Sequence, residues 1–161
     1  MKNGFTLVEL MVVALLTSVV MSAIFMVMSS GRSTWFETDA QVSVQQELRK
    51  AMQTMKFDLA MSGPKKISCA DNGVAVTSIS FSVSNGSGTW TGPVNYSVSS
   101  GHLLRVNGTD TRYLANNVSA LTFMRSAASP RMLQINMTVS KLTMANRNIN
   151  VTQRAGVYLR N

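Results

Sequence analysis

A long apolar block near the N-terminus constrains the fold of this chain more than any other feature. Residues 5–28 read FTLVELMVVALLTSVVMSAIFMVM, and Glu9 is the single charged side chain among them. As an α-helix the block spans about 36 Å at about 1.5 Å per residue, more than the roughly 30 Å of a bilayer core. The sequence therefore predicts a membrane-spanning helix, and Lys2 before it favours a cytoplasmic N-terminus.

A cleaved secretory signal is the main alternative for this block. Such signals have an apolar region of about 7–15 residues, preceded by positive charge and followed by a small-residue cleavage site. Here the apolar region is longer, Lys2 is the only positive charge before it, and the acid Glu9 lies inside it. A second alternative is a plain single-pass anchor in which Glu9 has no special role.

Residues 29–62 are expected to continue the helix with an amphipathic pattern. Apolar residues recur there at spacings of three or four, which places them in one stripe of a helix with a period of 3.6: Val44, Leu48, Met52, Met55 and Leu59. The Gly63-Pro64 pair is a helix stop. The helix is thus expected to run from Phe5 to about Met61, with residues 29–31 the most favourable place for a bend or a local break.

Beyond residue 64 the apolar pattern changes to a period of two, which is typical of strands with one buried face. Alternating runs begin at Ile79, Val94, Leu133 and Ile149, and turns are expected at 99–101 and 146–148. The apolar stripe of the helix is the obvious cover for the buried face. The predicted fold class is therefore α+β, with the second half of a long N-terminal helix packed on a C-terminal antiparallel sheet.

The residues that lead into the apolar block form a specific motif, Gly4-Phe5-Thr6-Leu7-Val8-Glu9. The N-terminal stretch MKNGFTLVELMVVALL resembles the class III signal peptides of type IV prepilins and type II secretion pseudopilins. The resemblance is close up to about residue 30 and looser over the rest. It implies a pilin-like fold with four segments: a leader at 1–4, a transmembrane or filament-core helix half at 5–28, an amphipathic helix half at 29–62 and a β-rich globular domain at 63–161.

The same resemblance implies roles for three residues. Gly4 would be the last leader residue, cut by a membrane prepilin peptidase, and Phe5 would become an N-methylated N-terminus. Glu9 would recognise the N-terminal amine of a neighbouring subunit during assembly. Elementary chemistry agrees, because glycine admits a protease close to the backbone and the helix dipole favours an acid in the first turn.

The resemblance also implies a structural function rather than an enzymatic one. The implied partners are a prepilin peptidase/N-methyltransferase, other pilin or pseudopilin subunits and an inner-membrane assembly platform. The implied location is the bacterial inner membrane, crossed once, and then a periplasmic or extracellular filament. The C-terminal stretches YLANNVSALTF and VYLRN are similar to W-type minor pilins and J-type pseudopilins. We therefore expect a minor subunit of a type IV pilus, with a type II secretion pseudopilin as the alternative.

Two further features bound the possible functions. Cys69 is the only cysteine and His102 the only histidine, so the sequence offers no disulfide within the chain and no catalytic, metal or cofactor site. We expect both residues to be structural. The absence of a second cysteine also departs from pilins that close a C-terminal loop with a disulfide.

The C-terminal part of the chain is rich in basic residues. Residues 105–160 hold seven arginines and Lys141, with Asp110 as the only acid. The formal net charge of +8 would fall to +7 if Lys2 left with the leader. A basic face of this kind can bind phosphates, so a DNA-binding module at a pilus tip is a second alternative. Solvated strand faces would give the same composition.

Overall fold

The structure is a computed structural model that describes residues 6–143 and 146–160. The chain divides into two compact units, Met1–Asp39 and Ala40–Asn161. Gly4 and Phe5 lie outside the described residues.

One α-helix, α1 (Leu7–Ala60), supplies residues to both units. The helix ends one residue before the predicted Met61. It is followed by two hydrogen bonds of the 3₁₀ type, from Met61 N–H to Asp58 O (3.2 Å) and from Ser62 N–H to Leu59 O (3.0 Å). The local break that was one of two possibilities at residues 29–31 does not occur, because the helix is continuous there.

The described part of the unit Met1–Asp39 is helical from Leu7 onward, and apolar side chains are exposed on all sides of residues 7–28. Leu7 and Phe25 are each 75% exposed. The most apolar stretch has a mean hydropathy of 2.6 with none of it buried, so by length and composition this helix could cross a membrane. A helix that is apolar all round is covered by lipid or by other protein.

The unit Ala40–Asn161 contains, within its described residues, the last part of α1 and seven strands: β1 (Ile79–Ser84), β2 (Trp90–Ser99), β3 (His102–Asn107), β4 (Asp110–Ala115), β5 (Val118–Ser126), β6 (Ser129–Leu142) and β7 (Asn148–Tyr158). All neighbouring strands pair antiparallel. The predicted alternating runs lie in β1, β2, β6 and β7. The predicted turn at 99–101 is present, with positive φ at Ser100 and Gly101.

The strands form two sheets where the sequence analysis expected one. Their orders are β1-β2-β3-β4 and β5-β6-β7. The chain passes from the first sheet to the second through Asn116 and Asn117. Asn117 has a φ of 54°, a left-handed conformation that asparagine tolerates better than most side chains. The period of two marks strands but does not say which strand pairs with which, so the division could not be predicted from it.

The core of this unit lies between the α1 stripe and the inward faces of the strands. The predicted stripe residues Val44, Leu48, Met52, Met55 and Leu59 are all buried, joined by Ala51. They pack in one cluster with Phe81 and Tyr96 from the first sheet and with Phe123 and Ile135 from the second. The prediction of a helix packed on antiparallel strands is therefore confirmed.

Candidate functional site

The start of α1 is organised by a cap that the sequence analysis did not identify. Thr6 Oγ1 accepts a hydrogen bond from the Glu9 backbone N–H at 3.3 Å. Thr6 is thus the N-cap and Glu9 the third helical residue, which matches the Ser/Thr-x-x-Glu pattern of a capping box. This spacing is readable in the sequence. The predicted position of Glu9 in the first helical turn is confirmed.

Beyond the Thr6 cap, the helix turns that follow Glu9 present mainly apolar side chains. The hydroxyls of Thr17, Ser18 and Ser22 donate to carbonyls of their own helix, at 2.5, 2.8 and 2.8 Å. Each hydroxyl proton therefore already has an acceptor when the helix lies in an apolar environment. Among the described residues up to 28, Glu9 carries the one charged side chain, and a carboxylate in an apolar environment needs a partner.

A second polar arrangement lies in the unit Ala40–Asn161. Asp58 on α1 is only 8% exposed. Its Oδ2 accepts a hydrogen bond from the Tyr96 hydroxyl at 2.7 Å and one from Arg105 Nε at 2.6 Å. Tyr96 on β2 and Arg105 on β3 lie directly opposite each other in the first sheet. The three groups connect the helix to two strands.

The surroundings of Tyr96 and Arg105 shift their protonation. Burial, followed by the hydrogen bond to Asp58, raises the pKa of Tyr96 far above its ordinary value. The hydrogen bond to Asp58 raises the pKa of Arg105, against the smaller opposing effect of burial. Tyr96 therefore stays a neutral donor and Arg105 a cation. The three groups pair with one another, so the cluster fixes the position of the helix on the sheet.

Several of the C-terminal arginines are also used within the chain. Arg105 pairs with Asp58, and Arg112 Nε donates to Asp110 Oδ2 at 2.9 Å. Arg125 is 7% exposed and donates to Pro64 O at 2.7 Å. The Arg105 and Arg125 side chains are thus engaged within the fold, whereas the Arg112 pair is exposed, with its side chain 67% accessible.

The single cysteine and the single histidine have structural surroundings. Burial raises the pKa of the Cys69 thiol, which makes it a poor nucleophile. His102 Nδ1 lies 2.8 Å from Asn116 Oδ1, and Asn116 donates from its backbone N–H and its Nδ2 to Glu47 Oε1, at 2.7 Å each. Within the described ranges, no three His, Cys, Asp or Glu side chains are grouped to hold a metal ion.

Comparison with known proteins identifies the N-terminal segment. Residues 1–25 match the family model described as the prokaryotic N-terminal methylation motif. No curated protein and no solved structure matches the chain. The match includes Gly4, Phe5 and Glu9 and extends into α1, so the resemblance to a class III signal peptide is confirmed. Cleavage at Gly4, methylation of Phe5 and the assembly role of Glu9 remain predictions.

Replacing the buried carboxylate should destabilise the unit Ala40–Asn161. Asp58→Asn leaves Arg105, whose side chain is 16% exposed, without its counter-charge. We expect the free energy of unfolding to fall by roughly 3 kcal/mol, measured by urea unfolding of the full chain in detergent. The matched control is Asp110→Asn at the exposed pair with Arg112, which should cost less than about 1 kcal/mol. Equal costs would contradict the anchoring role of Asp58.

The raised pKa of Tyr96 predicts a loss of stability in alkali. An unfolded tyrosine ionises near pH 10, whereas folded Tyr96 keeps its proton, so its contribution is present below about pH 10 and lost above it. The difference in unfolding free energy between the natural chain and Tyr96→Phe should shrink by about 1.4 kcal/mol from pH 9 to pH 11. Parallel pH profiles for the two proteins would show that the Tyr96 environment does not disfavour the phenolate.

Proposed function

We propose that this chain, a protein of type IV pilin or pseudopilin type that carries the N-terminal methylation motif at residues 1–25, is a structural subunit of a pilus-like filament. The observation that carries the proposal is the combination of that motif with an exposed apolar helix containing one acid, Glu9. Such a helix is covered by lipid before assembly and by other helices afterwards. The proposed location is the inner membrane and then a filament.

Processing follows from the motif. A prepilin peptidase is proposed to cut after Gly4 and to leave Phe5 as the N-methylated first residue of the mature subunit. Such a cut removes Lys2 and keeps the apolar block attached, unlike the removal of a secretory signal. The mature chain therefore keeps the helix by which it bundles with its neighbours.

Glu9 is proposed to pair with the N-terminal amine of a neighbouring subunit. A carboxylate without a partner is costly inside an apolar bundle, and removing one member of a buried ion pair typically costs roughly 3–5 kcal/mol. Shifting a subunit along the filament would break the pair, so the pair sets the axial position of each subunit. The hydroxyls of Thr17, Ser18 and Ser22 carry no charge, so the carboxylate of Glu9 attracts the amine more strongly than they do.

Within this class we propose a minor subunit of a type IV pilus, joined through an inner-membrane assembly platform. The support is the similarity of the C-terminal stretches to minor pilins and the single Cys69, which leaves no disulfide-closed loop. A pseudopilin of type II secretion is the alternative. A retraction ATPase encoded beside this gene would favour the pilus. DNA binding is disfavoured, since Arg105, Arg112 and Arg125 make contacts within the chain.

Processing can be read directly from mass. Co-expression of the full chain with a prepilin peptidase should yield a product that lacks residues 1–4 and carries a methyl group on Phe5, because the motif supplies the recognition sequence. Intact mass spectrometry, with fragment ions for the N-terminus, measures both changes. The control is Gly4→Leu, whose bulk should block cleavage. Recovery of the unmodified chain beginning at Met1 would refute the proposed function.

Assembly should depend on Glu9 while cleavage does not. Glu9→Val removes the carboxylate and should reduce incorporation into sheared filaments at least tenfold, with the mature mass unchanged. Asp39→Val, a similar change at an exposed acid of α1 beyond the apolar block, should leave incorporation within about twofold. Normal incorporation of the Glu9→Val protein would exclude the pairing role.

A further inference from the structure

The edges of the two sheets differ in how they are protected from other strands. The edge of β1 is covered by the segment after the helix, with hydrogen bonds from Ser68 N–H to Ser80 O (2.8 Å) and from Ser82 N–H to Lys66 O (3.0 Å). The edge of β5 is covered by Val76, which exchanges two 2.8 Å backbone hydrogen bonds with Phe123. Covering of this kind prevents pairing with other chains.

The two remaining edges are β4 and β7. β4 has six residues, a register shift where it pairs with β3, and the charged side chains of Asp110 and Arg112. These are features that discourage strand addition. β7 has eleven residues, pairs with β6 without a register shift, contains no proline and carries one charge, Arg154. Among the described residues, β7 is thus the long and regular edge.

The direction of the β7 backbone groups follows from two hydrogen bonds. Leu159 N–H donates to Arg131 O, and Ser140 N–H donates to Asn117 O, both at 2.8 Å. Because bonded and non-bonded pairs alternate along an antiparallel ladder, odd-numbered residues of β7 bond to β6 and even-numbered residues face the free edge. Those residues are Asn148, Asn150, Thr152, Arg154, Gly156 and Tyr158.

These outward-facing groups have no backbone partner in the part of the chain that the structure describes. Arg160, the next even-numbered residue after Tyr158, does have a backbone partner on this side: its N–H donates to Ser62 O at 2.8 Å. The chain therefore covers the end of this edge and leaves the length of β7 open.

The inward face of β7 is incompletely covered as well. Ile149, Val151, Gln153 and Ala155 are only half-buried. By contrast, the β6 residues that pair with Val151, Gln153 and Ala155 are each 0% exposed: Val139, Met137 and Ile135. Burial thus falls away at this edge, so an added strand would cover apolar surface there as well as backbone groups.

A basic groove adjoins the same strand. It has a volume of about 320 Å³ and is lined by Arg49, Met52, Gln53 and Lys56 of α1 and by Gln153 of β7. Two cations and no acid line it. Gln153 Oε1 is buried without a hydrogen-bond partner among the described residues. The groove therefore suits a carboxylate beside a hydrogen-bond donor.

We propose that β7 and this groove form a docking surface for an extended, acid-bearing segment of a different filament subunit, which adds a strand to the second sheet. The six outward-facing residues would supply main-chain hydrogen bonds, and Arg49 and Lys56 would select an acidic segment. A second copy of this chain is disfavoured, because pairing β7 with itself would bring Arg49, Lys56 and Arg154 of both copies together. The proposal rests on the filament function proposed above.

Photo-crosslinking in assembling cells tests the surface in the full chain. Benzoylphenylalanine at Thr152 should give an adduct with a different subunit, mapped by mass spectrometry to a segment containing Asp or Glu. The same probe at Thr111 on β4, the other open edge, should give none. No adduct at Thr152, an equal adduct at Thr111, or an adduct with a second copy would each overturn the proposal.

Two substitution pairs test the physical basis. Thr152→Pro removes an outward N–H, and Thr111→Pro removes the corresponding N–H of β4, where Asn107 and Asp110 flank a two-residue turn. Lys56→Glu inverts the groove charge, with Arg131→Glu as the control. The Thr152 and Lys56 variants should lower the adduct yield at least tenfold and the controls less than twofold. Equal effects within a pair would overturn the proposal.

The mature mass and the unfolding midpoint are measured in the same samples. Normal cleavage and methylation without a Thr152 adduct would reject the docking surface alone. A chain that is never cleaved would reject the filament function first. If one proline variant has a lowered unfolding midpoint, the decision rests on the Lys56 and Arg131 pair, whose side chains are exposed.

Discussion

The burial of one helical stripe is the interaction on which the unit Ala40–Asn161 depends. Leu48, Met52 and Met55 lie at or below 2% exposure and contact both sheets through a single core. Two small sheets of four and three strands would each have an apolar face open to water without that helix. The same helix thus performs two tasks with two surfaces, since its first part is apolar all round.

The hydrogen bonds of Asp58 fix where the buried helix lies on the first sheet. Apolar contacts alone tolerate small shifts of a helix along a sheet, whereas Tyr96 and Arg105 meet a single oxygen, Oδ2 of Asp58. A buried charged cluster contributes little net stability compared with apolar residues of similar volume, but a displaced helix would leave all three groups unpaired. The arrangement therefore favours one position of the helix over its neighbours.

The sequence predicted those parts of the fold that depend on local pattern. The stripe from Val44 to Leu59 and the alternating runs of β1, β2, β6 and β7 follow from periodicity, and the GFTLVE motif located Glu9. Strand partners depend on distant residues, so the separation of the sheets at Asn117 could not be predicted. The role of Asp58 was missed because its partners, Tyr96 and Arg105, are distant in the sequence. Without them, a single aspartate in an amphipathic helix is interpreted as a surface charge. Thr6 was missed although its spacing from Glu9 is a known capping pattern.

The position of the Thr6 cap has a consequence for maturation. The hydrogen bond that starts α1 joins Thr6 to Glu9, and both residues lie on the C-terminal side of the Gly4-Phe5 bond. Beginning a helix is its costliest step, because a full turn must be ordered before the first bond is gained. A peptidase acting at that bond would release a subunit whose helix is already nucleated. Proteolysis would thus create a new N-terminal amine, and α1 would not have to form again.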